Sequence, residues 1–185
     1  MYSISQRANA VLAFLVTVTL GFLVAVALTS PILLHGKGLR PAPGQNVLKI
    51  VDAESHKARL AFYDRTQNQS GDSELAIIRF DISADLRDLW NWNTKQLFVY
   101  VVAEYETDSH STNQVVIWDS IIRNKDDALI RLRNVKGEYF LVDINPTLST
   151  VSAKFTLHWN IIPYVGALFW NSGGQTPILA LPAPR

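Results

Sequence analysis

Residues 96–106 read QLFVYVVAEYE, and this stretch is the strongest strand signal in the chain. It is rich in β-branched and aromatic residues and ends in polar ones, which is typical of a β-strand. Residues 74–83, ELAIIRFDIS, alternate with a period of two and place two sets of side chains on opposite faces: Ile78, Phe80 and Ile82, and Ile77, Arg79 and Asp81. We therefore expect a strand here too.

Six further short apolar runs predict strands in the same way, and Asp, Asn, Ser and Gly residues separate them. They are residues 46–51, 58–63, 113–122, 128–132, 139–144 and 153–162. Eight short strands without a long segment of helical period predict an all-β domain, an antiparallel β-sandwich. One helical turn is expected at residues 84–90, where Asp85 can cap it.

The N-terminus differs in character from this body. Residues 10–28, AVLAFLVTVTLGFLVAVAL, contain no charge over 19 positions. As a helix they are about 28 Å long, which is close to the thickness of a bilayer's hydrocarbon core. Pro31 is expected to end this helix near Ser30. Arg7 is the only charged residue before His35, which favours a cytoplasmic N-terminus.

Two interpretations of this segment stay open on these grounds. It is either a retained signal anchor or a cleaved signal peptide with Ala25-Val26-Ala27 as the cleavage site, and its length favours the anchor. We divide the chain into a short cytosolic N-terminus (1–9), a transmembrane helix (10–30), a linker rich in Gly and Pro (31–45), a β-sandwich domain (46–170) and an extended C-terminal tail (171–185).

Composition excludes several classes of function. Lys and Arg number 17 against 16 Asp and Glu, so the basic excess that nucleic-acid binders need is absent. There is no cysteine, which excludes disulfides, thiol catalysis and cysteine-ligated metals. No phosphate-binding glycine loop is present either, and the sequence predicts no cofactor.

A search for catalytic groups gives none. The four histidines, His35, His56, His110 and His158, show no metal-ligand spacing and stand in no Gly-x-Ser-x-Gly elbow. We interpret them as solvent-facing. Two carboxylate pairs, Asp126 with Asp127 and Asp85 with Asp88, are interpreted as a turn and as helix-start charges. A Ser–Lys dyad stays open, although no local context marks one.

Aromatic and amide side chains suggest where a partner binds. The chain has five tryptophans, a residue type enriched at binding hot spots. Residues 161–170 carry no charge and form either the last strand or an apolar surface that faces a partner or the bilayer. Our candidate contacts are Trp90, Trp92, Asn93, Gln96, Asn160, Pro163 and Trp170. Asn68 begins a glycosylation sequon, Asn68-Gln69-Ser70, in a polar run.

Several ordered blocks resemble a known family. They are SQRAN at 5–9, FDISADL at 80–86, WNTKQLF at 92–98, AEY at 103–105, NQVVIWD at 113–119 and LHWNIIP at 157–163. With these blocks the chain resembles the 22/23-kilodalton subunit, or subunit 3, of the eukaryotic signal peptidase complex. The resemblance covers most of the chain, up to about Leu168, and is poor in the linker and the tail.

The resemblance implies a single-pass type II protein of the endoplasmic reticulum membrane, with the anchor retained and the sandwich in the lumen. It implies a non-catalytic role, in which this subunit cradles the catalytic serine-peptidase subunit beside two other small membrane subunits. One departure concerns glycosylation: family members can carry a sequon near residues 150–156, and none occurs there in this chain. The alternative that the residues alone leave open is a secreted or membrane-tethered β-sandwich that binds a ligand.

Overall fold

The computed structural model describes residues 3–41, 46–58, 73–107, 110–142, 148 and 151–184. One helix, α1 (Ile4–Leu34), precedes a domain built of strands and two short 3-10 turns, Arg87–Leu89 and Asp126–Ala128. The strands are β1 (Arg40–Pro41), β2 (Leu48–Ala58), β3 (Ser73–Asp85), β4 (Thr94–Thr107), β5 (His110–Ile122), β6 (Leu129–Lys136), β7 (Leu141–Val142), β8 (Ser152–Pro163), β9 (Phe169–Gly173) and β10 (Leu179–Ala180). Most of the strand predicted at residues 58–63 and the sequon at Asn68 lie outside the described residues.

The first sheet is built around β3. Strand β2 pairs antiparallel with it, from Leu48 opposite Ile82 to Ala58 opposite Ser73, and β1 pairs with its last two residues. Strands β6 and β7 also pair antiparallel with β3. The other four strands of this sheet therefore all pair with β3, the strand that residues 74–83 predict.

The second sheet is built around β4 and β8, which pair antiparallel from Thr94 opposite Pro163 to Tyr105 opposite Ala153. Strand β5 pairs with the other edge of β4, and β9 and β10 pair with β8. Residues 96–106 thus lie in a central strand of this sheet, with Leu97, Val99 and Val101 buried in the core.

The core lies between the two sheets and confirms the predicted sandwich. Ile78, Phe80 and Ile82, which the alternation places on one face of β3, are at most 1% exposed, so this face enters the core. Phe155 and Trp159 enter the same cluster from β8. At about 25 cal/mol per Å² of buried apolar surface, such large side chains supply most of the driving force for folding.

Helix α1 differs from the prediction because Pro31 does not end it. The helix begins earlier, at a capping box formed by Ser3 and Gln6, and continues through Pro31 to Leu34. A proline removes one helical N–H and its bond to the carbonyl four residues earlier, but the helix continues for only three residues beyond Pro31. Leu34 also packs against the domain core, and this contact supports the final turn.

We expected an extended C-terminal tail at residues 171–185, and its described part, residues 171–184, packs against the domain. Thr176 and Leu181 are 7% and 3% exposed. The Thr176 N–H donates to the Phe155 carbonyl at 2.9 Å, and the Leu181 N–H donates to the Val151 carbonyl at 3.0 Å. These bonds hold the end of the chain along β8.

Candidate partner interface

The outer face of the second sheet carries an aromatic cluster that we call the aromatic face: Phe98, Tyr100, His158, Asn160 and Trp170. The strand register brings these residues together. Asn160 of β8 lies opposite Phe98 on one side and Trp170 on the other, and His158 lies opposite Tyr100. Directly opposite residues project from the same face of a sheet. Their neighbours Leu97, Val99 and Leu157 fill the core on the inner face.

Three rings of the aromatic face stack in a row. The Phe98 and Tyr100 centroids are 5.1 Å apart with an interplanar angle of 26°, and the Tyr100 and His158 centroids are 5.3 Å apart with an angle of 20°. Such contacts are worth about 0.5–1.5 kcal/mol each beyond the area that they bury. The row is therefore a rigid platform, and its members remain only half-buried.

Two polar atoms of the aromatic face are buried and unpaired. Within the described part of the chain, Nε2 of His158 and Oδ1 of Asn160 have no hydrogen-bond partner. Burial lowers the pKa of His158, opposed by the charge of Glu104, so the ring is neutral at pH 7. An unpaired buried polar group costs about 1–3 kcal/mol, and a partner that supplies a donor or acceptor removes that cost.

Of the five members of the aromatic face, the sequence predicted Asn160 and Trp170 but not Phe98, Tyr100 or His158. We had interpreted His158 as a solvent-facing residue, yet it is half-buried in the ring stack. A signal was available, because β4 carries large apolar residues on both faces, and a strand with one face in water alternates with polar residues.

A second region joins helix α1 to the domain, and we call it the helix junction. The Asn93 Nδ2 donates to Ser30 Oγ at 2.8 Å and to the Val165 carbonyl at 2.8 Å, while Val165 N–H donates to Asn93 Oδ1 at 3.1 Å. Asn93 and Ser30 are only 1% and 2% exposed. One buried amide thus bonds the helix and the β8–β9 turn at the same time.

Close packing extends the helix junction. Gly166 has φ +116°, and a Cβ placed on it would lie 3.2 Å from Ala27 Cα. Only glycine adopts such a positive φ without strain and has no Cβ to keep the turn away from Ala27. The buried and half-buried helix residues form a stripe along the last turns: Val26, Ala27, Thr29, Ser30, Leu33 and Leu34.

The seven candidate contacts fall into three places. Gln96, Asn160 and Trp170 lie on the outer side of the second sheet, where Trp170 is 66% exposed. Trp92, 62% exposed, lies next to the helix junction. The other three are turned inward: Asn93 and Pro163 are buried, and Trp90 is half-buried against the core. We had expected Asn93 to meet another protein, but its amide is bonded within the chain.

Asp85 and Asp88 each form an ion pair with an arginine. Asp85 accepts from the Arg87 guanidinium at 2.9 and 2.7 Å, and this hydrogen bond is the main reason why the pKa of Asp85 is lowered. Asp85 also accepts from the Arg87 N–H at 3.1 Å beside the predicted helical turn. Asp88 lies 2.6 Å from Arg40. No group of three metal-ligating side chains occurs among the described residues.

Comparison with known proteins gives a consistent result. A profile described as "Signal peptidase subunit" matches residues 1–184. A protein named signal peptidase complex subunit 3 from Debaryomyces hansenii is 44% identical over 104 residues, 56% of this chain and 53% of the relative. Those from Saccharomyces cerevisiae and Gallus gallus are 45% and 43% identical, over 51% and 52% of this chain and 52% and 54% of the relatives.

The chain spans about half the length of the curated relatives that it matches. The profile, by contrast, extends from the helix to the last described residue. It therefore includes α1, both sheets, the aromatic face and the helix junction. The chain belongs to the signal peptidase subunit family.

Proposed function

We propose that this chain is a non-catalytic subunit of the signal peptidase complex and holds the catalytic serine-peptidase subunit against its aromatic face. The observation that carries the proposal is the pair of unpaired buried atoms, His158 Nε2 and Asn160 Oδ1, within a cluster of half-buried rings. A partner surface that covers the rings and bonds to both atoms gains apolar burial and specificity together.

The proposed role is positional. A stacked row of rings on a sheet has little freedom to rearrange, so it presents one fixed shape to the peptidase subunit. Trp170, 66% exposed, is the most exposed member of the aromatic face, and Trp is a frequent hot-spot residue. The helix junction connects the sheet that carries this face to α1. A peptidase subunit bound to the face would therefore have a fixed position relative to the helix.

We further propose that α1 spans the endoplasmic reticulum membrane, with a cytosolic N-terminus, a lumenal sandwich and two other small membrane subunits nearby. The helix has a mean hydropathy of 2.7 in its most apolar window. Arg7 is its only charged residue, and positive charge flanking a span favours the cytosolic side. The apolar length suits a bilayer that is a few Å thinner than average, as that of the endoplasmic reticulum is.

Co-purification tests the role of the aromatic face. We would tag the full chain at its C-terminus, extract membranes in a mild detergent, and compare Trp170→Asp with Ile178→Asp. Both positions are highly exposed, at 66% and 73%, but only the first lies on the aromatic face. A hot-spot loss of about 2 kcal/mol corresponds to about a thirtyfold weaker association.

We expect Trp170→Asp to lose the serine peptidase and Ile178→Asp to retain it. Equal recovery with both variants would contradict the assignment of the face. If no peptidase co-purifies with the unaltered chain and its mature N-terminus is Leu28, the secreted or membrane-tethered binding module becomes the better hypothesis.

A further inference from the structure

We propose that the sandwich makes a second contact with the bilayer, in addition to α1, through a rim that consists of Trp92, Tyr164 and Leu168. The partner of this rim is the interfacial layer of phospholipid headgroups. This inference rests on the proposed membrane span of α1, and the experiment below separates the failure of one from the failure of the other.

The helix junction sets the height of the rim. The uncharged stretch from Ala10 to Leu28 is about 28 Å long as a helix, so it fills a hydrocarbon core of about 30 Å. Ala27 is then within one residue, about 1.5 Å, of the far boundary. Gly166 lies so close to Ala27 that a Cβ placed on it would be 3.2 Å from Ala27 Cα. The β8–β9 turn that contains Gly166 must therefore lie at the level where hydrocarbon meets headgroups.

The side chains around this contact suit that level. Tyr164 is 67%, Trp92 62% and Leu168 41% exposed. Tyr164 N–H donates to the Asn93 carbonyl at 2.8 Å, and Trp92 directly precedes Asn93, so both aromatic residues are tied to the helix junction. Trp and Tyr are enriched at membrane interfaces because their rings are apolar while their N–H and O–H groups can reach water.

The charge distribution agrees with this placement. Residues 155–170 contain no Asp, Glu, Lys or Arg, and the exposed Lys95 beside them has the sign that binds lipid phosphates. The other end of the second sheet is different. There Ile178 lies with Glu104, Glu106 and Lys154 around an open cavity, and Glu104 is ten residues, about 33 Å of strand, from Thr94.

Depth measurements with nitroxide labels test the proposal. The chain has no cysteine, so single cysteines can be placed at Trp92, Tyr164, Ile178 and Phe22 of the full chain. Each labelled protein is reconstituted in phosphatidylcholine nanodiscs, and collisions with oxygen and with a water-soluble nickel complex are measured. We expect labels at 92 and 164 to collide with the nickel complex about threefold less than the label at 178, as at an interface.

The four labels separate the possible failures. If the label at 22 is in lipid but those at 92 and 164 are as accessible to nickel as that at 178, the rim faces water and the proposal is overturned. If the label at 22 is itself accessible to nickel, the proposed span fails and the proposal fails with it.

A second measurement uses the native side chains and avoids the label. Brominated phosphatidylcholine quenches tryptophan fluorescence at the interface. We expect Trp92→Phe to remove most of the quenching of the full chain and Trp170→Phe, an equally exposed control at 66% against 62%, to retain it. Unchanged quenching in Trp92→Phe would overturn the proposal.

Discussion

His158 illustrates how one residue acquires its properties from its neighbours. On the strand it alternates with Leu157 and Trp159, both buried, and should face water. Tyr100 instead stacks on it with centroids 5.3 Å apart, and burial lowers its pKa. The sequence predicts which face His158 occupies. It does not predict the stack, because the pairing with Tyr100 joins residues far apart along the chain.

The lowered pKa of His158 makes the stability of the protein sensitive to acid. The unfolded chain binds a proton near pH 6.5, while the folded chain binds it only at lower pH. As the pH falls below about 6.5, protonation therefore favours the unfolded state, and the free energy of unfolding decreases until the folded pKa is reached. The His158→Phe variant keeps a ring that can stack but has no titratable group at this position. We expect its free energy of unfolding to decrease less between pH 7.5 and 5.5 than that of the unaltered protein.

Urea unfolding of the full chain, followed by tryptophan fluorescence, measures this difference. Above pH 7.5 the imidazole of His158 is uncharged in both the folded and the unfolded protein. The difference in unfolding free energy between the two proteins should therefore be constant there, and it serves as the internal control. A parallel decrease in both proteins below pH 6.5 would mean that His158 does not contribute to the acid sensitivity.

At the level of elements, the long strands are readable from sequence and the short ones are not. Residues 74–83, 96–106 and 153–162 fall inside β3, β4 and β8, because each is a run rich in β-branched and aromatic residues that is long enough to predict a strand. Strands β9 and β10 have only five and two residues. They form by pairing with β8, which no local pattern encodes, so the sequence predicts only an extended tail there.

Gly174 shows how the end of the chain is fixed to the domain. Its φ is +65°, and a Cβ placed on it would lie 2.6 Å from Val47 Cβ and in contact with Val47 Cγ1. We expect Gly174→Ala to lower the free energy of unfolding by about 2–4 kcal/mol, since it adds backbone strain and overpacking.

Gly38→Ala is the matched control for this change. Nothing lies within 4 Å of a Cβ on Gly38, so its unfolding free energy should change by less than about 1 kcal/mol. Chemical denaturation of both variants decides the matter, and equal midpoints would show that the close approach at Gly174 relaxes without cost.

For the whole molecule, the arrangement of α1 on the sandwich depends on very few groups. Residues 4–25 of the helix are exposed, and the contact with the domain is concentrated in the last turns. Ser30 and Asn93 are 63 residues apart in sequence, so neither residue predicts the other. An Asn in a Trp-Asn-Trp-Asn run reads as a surface contact, and only the fold shows that it connects two parts of the chain.

The coupling between helix and sandwich can be measured with a double-mutant cycle on the full chain. Asn93→Ala leaves Ser30 Oγ and the Val165 N–H and carbonyl without their partner in a buried site, so we expect the free energy of unfolding to decrease by about 3 kcal/mol. Ser30→Ala should cost about 1 kcal/mol alone and little in the presence of Asn93→Ala, because both changes remove the same 2.8 Å hydrogen bond. The resulting coupling energy is about 1 kcal/mol.

Thr29→Ala is the control: its hydroxyl bonds to the Val26 carbonyl within the helix, so its effect should add to that of Asn93→Ala. An additive result for Ser30 as well would mean that the helix and the sandwich are not connected through this amide.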